Sequence, residues 1–244
     1  MMAALNYVAV TPVSSNLMYY IDAGVASSYP GSGTAINNIA GTAPGAATVA
    51  NGATFTSAGT GSYFTFNGTN QVVYTANMLS LFTGPTNKNL TIETWVRTST
   101  DNGVVISEQG NSPINSGWHT SEQEIVSGNL RVRVWAQPTP PNLLVGAVTR
   151  NQWQQYVLTY DNATTTLRGY INGSTTTSTS VTRLVPWENG APQLYYALMV
   201  ADSTNMGDGS SVAGDWAVCK IYNRALSAAE ITQNFDALRG RYGV

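Results

Sequence analysis

Apolar and polar residues alternate along several short runs of the chain. In LTIETWVR, residues 90 to 97, Leu90, Ile92 and Val96 fall on one side with Thr94 between them, and Glu93, Trp95 and Arg97 fall on the other. NLRVRVWA repeats the pattern, with Leu130, Val132 and Val134 opposed to Arg131, Arg133 and Trp135. TLRGYING sets Leu167, Gly169 and Ile171 against Arg168 and Tyr170, and QQYVLTYD turns Tyr156, Leu158 and Tyr160 toward a core. Successive side chains of a strand point to opposite faces, so this alternation predicts strands with one buried and one wet face, the units of an antiparallel sandwich.

Turn signals separate these runs: Asn51-Gly52, Asn67-Gly68, Asp101-Asn102-Gly103, Asn172-Gly173 and Asn189-Gly190. Such pairs tolerate positive φ and favour tight reversals between antiparallel strands. AQPTPPNLL, residues 136 to 144, reads as a loop because proline cannot donate to a ladder. GSTTTSTSVT, residues 173 to 182, reads equally as a polar edge strand or a loop. The pattern changes only at the end. After the strand-like CKIY, Ser227 and Glu230 form a Ser-x-x-Glu capping box, and Leu226 with Ile231 would staple the first turn. Ile231, Phe235 and Leu238 then recur at helical spacing, with Gln233 and Asp236 left for water and Gly240 as a stop. A closing helix over residues 227 to 239 or thereabouts, lying on the sandwich, is expected.

Composition narrows the partners. The chain has 244 residues, which a single all-β domain can accommodate, and no linker divides it. Charged residues make up 10% and the net charge is −2, so no clustered lysine and arginine call for nucleic acid or an anionic membrane. No run of about 18 apolar residues is present to span a bilayer. The start, MMAALNYVAVTPVSSN, lacks the basic and apolar parts of a signal peptide, and Cys219 is the single cysteine, so folding in a reducing cytoplasm is expected.

Several pieces together resemble the laminin G-like, concanavalin A-like jelly-roll family. They are LMYYIDAG (17 to 24), ATFTSAG and SYFTFNGTNQVV (53 to 73), LTIETWVR, the W-x-x-Y-x-L-T-Y-D run from Trp153 to Asp161, YING (170 to 173) and IYNRALSAAEI. The resemblance covers almost the whole chain. It implies two antiparallel sheets, one convex and one concave, with sugars bound on loops or on the concave face in many members; the same architecture also serves adhesion modules, glycoside hydrolases and virus structural proteins. The ending QNFDALRGRYGV looks most like stand-alone proteins carried by tailed bacteriophages, which implies a virion location with other virion proteins as partners. Family members that hold calcium often carry an acid a few positions before IYNRALS. Ala217 stands there instead, leaving Asp22, Asp202, Asp208 and Asp215 as candidate ligands; no cofactor is otherwise required.

Catalytic parts are few. Sandwich hydrolases of this architecture commonly carry Glu-x-Asp-x-x-Glu on one strand, and the nearest counterpart, Glu122-Gln123-Glu124, sits in the loop-like GWHTSEQEIVSG, where a solvated strand end is the plainer reading. His119 and Cys219 are single, Cys219 reads as a small buried hydrophobe, and no nucleophile elbow is present, so no catalytic residue is assigned. If the strand phases hold, Glu93, Trp95, Arg97, Arg131, Arg133, Trp135, Arg168 and Tyr170 project together from the concave sheet. Flat rings and planar donors of this kind suit a glycan or a protein partner, unless Glu93 and the arginines satisfy one another under covering loops. Trp118, His119 and Trp187 form a second candidate site in predicted loops. The expectation is a non-enzymatic phage virion protein, on capsid or tail, whose lectin-like domain binds polysaccharide. A bacterial adhesion module is the first alternative and a glycoside hydrolase a more distant one.

Overall fold

A computed structural model describes residues 10–41, 44–82, 88–110, 118–134, 136–137, 142–181, 183–184, 193–200 and 211–244, with 118–119, 136–137, 175–176 and 183–184 in backbone only. The fold is all-β apart from one C-terminal helix and a short 3-10 turn, and its two large sheets are antiparallel. The first sheet runs β15 (Ser174–Ser180), β14 (Thr166–Ile171), β13 (Trp153–Asp161), β7 (Leu90–Thr98), β18 (Ala213–Tyr222), β5 (Tyr63–Asn67) and β4 (Thr54–Thr56), with β1 (Leu17–Asp22) pairing the far half of β18. The second runs β12 (Leu143–Ala147), β10 (Asn129–Val132), β9 (Trp118–Val126), β8 (Gly103–Gln109), β17 (Tyr195–Leu198), β6 (Val72–Tyr74), β3 (Ala47–Ala50) and β2 (Ala35–Ile36). A ribbon joins β11 (Ala136–Gln137) to β16 (Arg183–Leu184). This is the expected jelly-roll sandwich.

The phases read from alternation hold. Leu90, Ile92, Val96, Leu130, Val132, Tyr156, Leu158, Tyr160 and Leu167 all lie in the main core between the sheets, and Cys219 is buried among them. Two segments differ from expectation. Ala136 and Gln137 of the proline-containing stretch pair as β11 rather than looping, while residues 138–141 lie outside the described residues. GWHTSEQEIVSG is mostly strand: β9 pairs with β8 on one side and β10 on the other. Gln123 is satisfied inside, taking a hydrogen bond from Thr94 at 2.6 Å and donating to the Ile92 and Tyr156 carbonyls at 3.1 and 3.2 Å.

The largest departure concerns the outer face of the first sheet. Helix α1 (Ala228–Tyr242) lies across it and builds two further apolar layers there. Trp95, Trp153, Val218, Phe235, Leu238 and Tyr242 form one; Val13, Val157, Tyr170, Tyr222, Leu226 and Ile231 form the other. The Trp95 ring stacks on Phe235 at 5.8 Å and 3° and meets Tyr242 at 4.8 Å. The alternation was therefore correct, but the face it marked as wet is a second core.

The helix begins as its sequence directs. Ser227 Oγ accepts from the Glu230 backbone N–H, and a Glu230 oxygen accepts from the Ser227 N–H at 2.9 Å. It does not stop at Gly240. It continues to Tyr242, and Gly243 caps it at φ 70 with its N–H on the Arg239 carbonyl. The extra turn delivers Arg241, whose fork meets both oxygens of the buried Asp22 at 2.7 Å and whose Nε donates to the Thr60 carbonyl at 2.6 Å. Gly24 makes room for this lock, since a Cβ there would collide with the Thr60 carbonyl and the Arg241 guanidinium.

At the other end, Arg224 donates to both Glu230 oxygens at 2.9 and 2.6 Å. That fork, helped by Ser227, holds the Glu230 carboxyl down from its ordinary 4.5 to about 2. A carboxyl with a depressed folded-state value stabilises above the unfolded value and loses that contribution as pH falls through the folded one. Protection factors of the amides in the first turn of α1, taken relative to the intrinsic rate at each pH, are therefore expected to fall between pH 4.5 and about 2. Unchanged protection across that window would contradict the role given to Glu230.

Candidate functional site

The eight residues expected on one concave face do not share one. Glu93, Trp95, Arg97, Arg168 and Tyr170 belong to the helix-covered sheet, and Arg131 and Arg133 to the strand β10 region of the other; Trp135 lies outside the described residues. Glu93, Trp95 and Tyr170 are buried by α1. Glu93 takes hydrogen bonds from Lys220 at 3.1 Å, Trp95 Nε1 at 3.1 Å and Asn234 at 2.8 Å, so its partners are a lysine, an indole and an amide rather than an arginine. Arg168 is half-buried on β14, opposite Thr159 and Ser178.

Arg97 alone of that group reaches an open surface together with partners of useful chemistry. It lies in a row that crosses four strands, beside Trp153, whose ring meets that of Tyr242 in the last turn of α1 at 4.8 Å. Trp153 on β13 is directly opposite Arg97 on β7, Arg97 is opposite Asp215 on β18, and Asp215 is opposite Thr65 on β5. Side chains opposite one another on neighbouring strands lie on the same face and interact. Arg97 Nε donates to Asp215 Oδ2 at 2.8 Å and Thr65 Oγ1 donates to Oδ1 at 2.6 Å. The guanidinium carbon sits 5.0 Å from the Tyr63 ring centre and 5.2 Å from that of Trp153, and the two rings meet edge to face at 5.7 Å. Beside this row is a shallow cleft of about 370 Å³ lined by Arg97, Thr98, Ser99, Asn151, Gly214 and Asp215. The Arg97 side chain remains 34% exposed, enough for its terminal N–H groups to serve a ligand. Asn151 is held at the rim in a left-handed turn, φ 59, by its N–H on the Thr98 carbonyl at 2.8 Å. Tyr63, Trp153 and Asn151 escaped the sequence reading, because alternation places a residue on a face but does not say which strands adjoin.

The second sheet carries a tighter charged group. Glu124 Oε2 accepts from Arg131 Nη2 at 2.5 Å and from Arg133 Nη2 as well, all three being mostly buried. Leu144, opposite Arg131 on β12, is exposed. The pair Glu122 and Glu124 is not a hydrolytic dyad on one face. Register slips beside Glu122, which stands unpaired between Ser121 and Gln123, and this bulge sends its carboxylate to Lys88, away from the arginines that hold Glu124. Trp118 and His119 begin β9 rather than lying in a loop, with side chains outside the described residues, as is Trp187 entirely.

A calcium site built on Asp22 and Asp215 is not formed either. Each carboxylate is already held by an arginine, Asp22 by Arg241 and Asp215 by Arg97, which removes the negative charge a hard cation needs. Among the described residues no three His, Cys, Asp or Glu gather to hold a metal, and Asp202 and Asp208 lie outside them.

The fold has well-defined relatives among solved structures. Trypanosoma rangeli sialidase in complex with sialic acid superposes with a TM-score of 0.66 at 14% identity, over 96% of this chain and 34% of the sialidase. The binding domain of Paraclostridial Mosquitocidal Protein 1 gives 0.64 at 18% identity, over 91% of this chain and 52% of that one. The botulinum neurotoxin type G receptor binding domain gives 0.60 at 16% identity, over 90% and 51%. The chain thus spans a third to about half of these proteins, and at such identities the likeness is one of fold. No curated protein matches it in sequence. The family model of the concanavalin A-like lectin/glucanases superfamily, laminin G type, matches residues 59–232, from the turn before β5 into α1, and the chain belongs to that family.

Proposed function

We propose that this chain is a non-enzymatic glycan-binding module that uses the Arg97 cleft. The observation that carries the reading is the Trp153, Arg97, Asp215, Thr65 row at the edge of α1. A polyhydroxylated ligand needs donors and acceptors fixed in place beside a flat apolar surface, and here a carboxylate orients the arginine fork while two rings support it. The fold agrees, since the toxin neighbours are binding domains and a sialidase neighbour holds sialic acid. Against a hydrolytic Glu122–Glu124 pair stand the burial of Glu122 and the clamping of Glu124 by two arginines.

The biological setting proposed is the virion of a tailed phage, on capsid or tail, where the module would attach or decorate. It rests on the resemblance of QNFDALRGRYGV to the endings of such proteins. Immunogold labelling of purified particles is expected to mark them; particles that never label would contradict the setting but not the binding. Binding itself is tested on a glycan array with folded protein. Signal on a defined group of polysaccharides is expected, and a blank array would contradict the reading.

A further inference from the structure

A cluster outside that cleft has a chemistry of its own. Lys88, two residues before β7, is buried, and its Nζ contacts Glu108 Oε2 on β8. The same Nζ lies 3.8 Å from Glu122 Oε1 at the bulge of β9. Lys88 is 2% exposed and both glutamates 0%. Tyr196 on β17 donates to Glu108 Oε2 at 3.4 Å. Both Glu122 oxygens are buried with no hydrogen-bond partner among the described residues. Two acids and one amine thus share a buried pocket against the main core.

We propose that Lys88 and Glu108 condense into an intramolecular isopeptide bond, with Glu122 as the proton relay. Lys88 Nζ already touches an oxygen bonded to the carbon it would attack, so the two groups need no further encounter, which is most of what an amide-forming step lacks in water. An ammonium and a carboxylate buried together bear a heavy desolvation penalty, and turning both into one neutral amide removes it. Burial lifts the Glu122 carboxyl well above its ordinary range, and the neighbouring Glu108 carboxylate adds to the rise, which favours the acid form.

The atoms balance without a co-reactant. Glu122, as the acid, gives its proton to a Glu108 oxygen and takes one back from the Lys88 ammonium, whose freed amine attacks Cδ of Glu108; the same exchange then carries a second proton from the nitrogen to the leaving oxygen. Glu122 polarises the carbonyl oxygen while the tetrahedral intermediate stands. The Nζ–Cδ bond forms, one Cδ–O bond breaks, and the leaving oxygen departs as water with those two protons. One N–H stays on the amide, and Glu122 ends as the acid it began. Because β7 and β8 belong to different sheets, the bond would staple the sandwich covalently.

Intact-mass measurement of the purified, folded protein decides the matter. A mass one water below that of the sequence is expected, with a branched tryptic peptide joining Lys88 to Glu108 and cleavage after Lys88 blocked. Lys88→Ala and Glu108→Ala should restore the full mass, and Glu122→Gln should leave most of the protein uncrosslinked while circular dichroism stays that of a β-sandwich. Wild-type protein at full sequence mass overturns the bond. A cross-link that forms unimpaired in Glu122→Gln overturns the relay.

Discussion

Replacing Lys220 with alanine should destabilise the protein by about 3–5 kcal/mol, read as a lowered midpoint in urea unfolding. The reason is the charge left behind. Lys220 and Glu93 are both wholly buried beneath α1, 3.1 Å apart, and removing the lysine strands a carboxylate away from water with only Asn234 and Trp95 to bond it. Replacing both members, Glu93→Gln with Lys220→Met, should recover much of the loss, because a buried ion pair exchanged for well-packed neutral groups is often close to neutral in stability. A Lys220→Ala midpoint equal to that of the wild type would mean that water reaches Glu93 and that the helix does not seal the face.

Trp95→Ala should be comparably severe, on the order of 3–5 kcal/mol for a large aromatic cut from a core. Trp95 is fully buried, stacked on Phe235 and touching Tyr242, so its removal unseats the middle and end of α1 together. The same helix carries Arg241 to Asp22, and loosening it frees the edge on which Tyr63 and Trp153 support Arg97. Loss of ligand binding in Trp95→Ala would thus report a displaced helix rather than a lost contact. Hydrogen exchange should show α1 losing protection while β8 and β9 keep theirs; a variant as protected as the wild type would count against the helix as a latch.

Much of this architecture is legible along the chain. The alternation at Leu90 to Arg97 and at Leu130 to Arg133 gives the correct inward faces, and Ser227 with Glu230 marks the helix start to the residue. What the alternation lacks is any record of what covers the outward face. Glu93 and Trp95 look like a wet surface until Phe235, Leu238 and Tyr242, more than a hundred residues on, are laid over them. Arg131 and Arg133 share the same phase as Arg97 yet sit in the other sheet, since phase carries no information on strand order. Glu122 is hidden for a different reason: one unpaired residue in β9 breaks the regular spacing, and no local signal announces it. Lys88 and Glu108 are unremarkable in sequence, twenty positions apart, and acquire meaning only when β7 and β8 bring them together.

The most direct test of where this module binds is titration calorimetry with the strongest polysaccharide from the array, comparing wild type, Arg97→Lys and Arg131→Ala. Lysine keeps the charge of Arg97 but loses the planar fork that Asp215 orients between the Tyr63 and Trp153 rings. Arg97→Lys is expected to weaken binding by roughly tenfold or more, the loss of a charge-assisted hydrogen bond, with Arg131→Ala close to wild type. Full affinity in Arg97→Lys together with loss in Arg131→Ala would place the binding surface on the other sheet and contradict the assignment of the cleft.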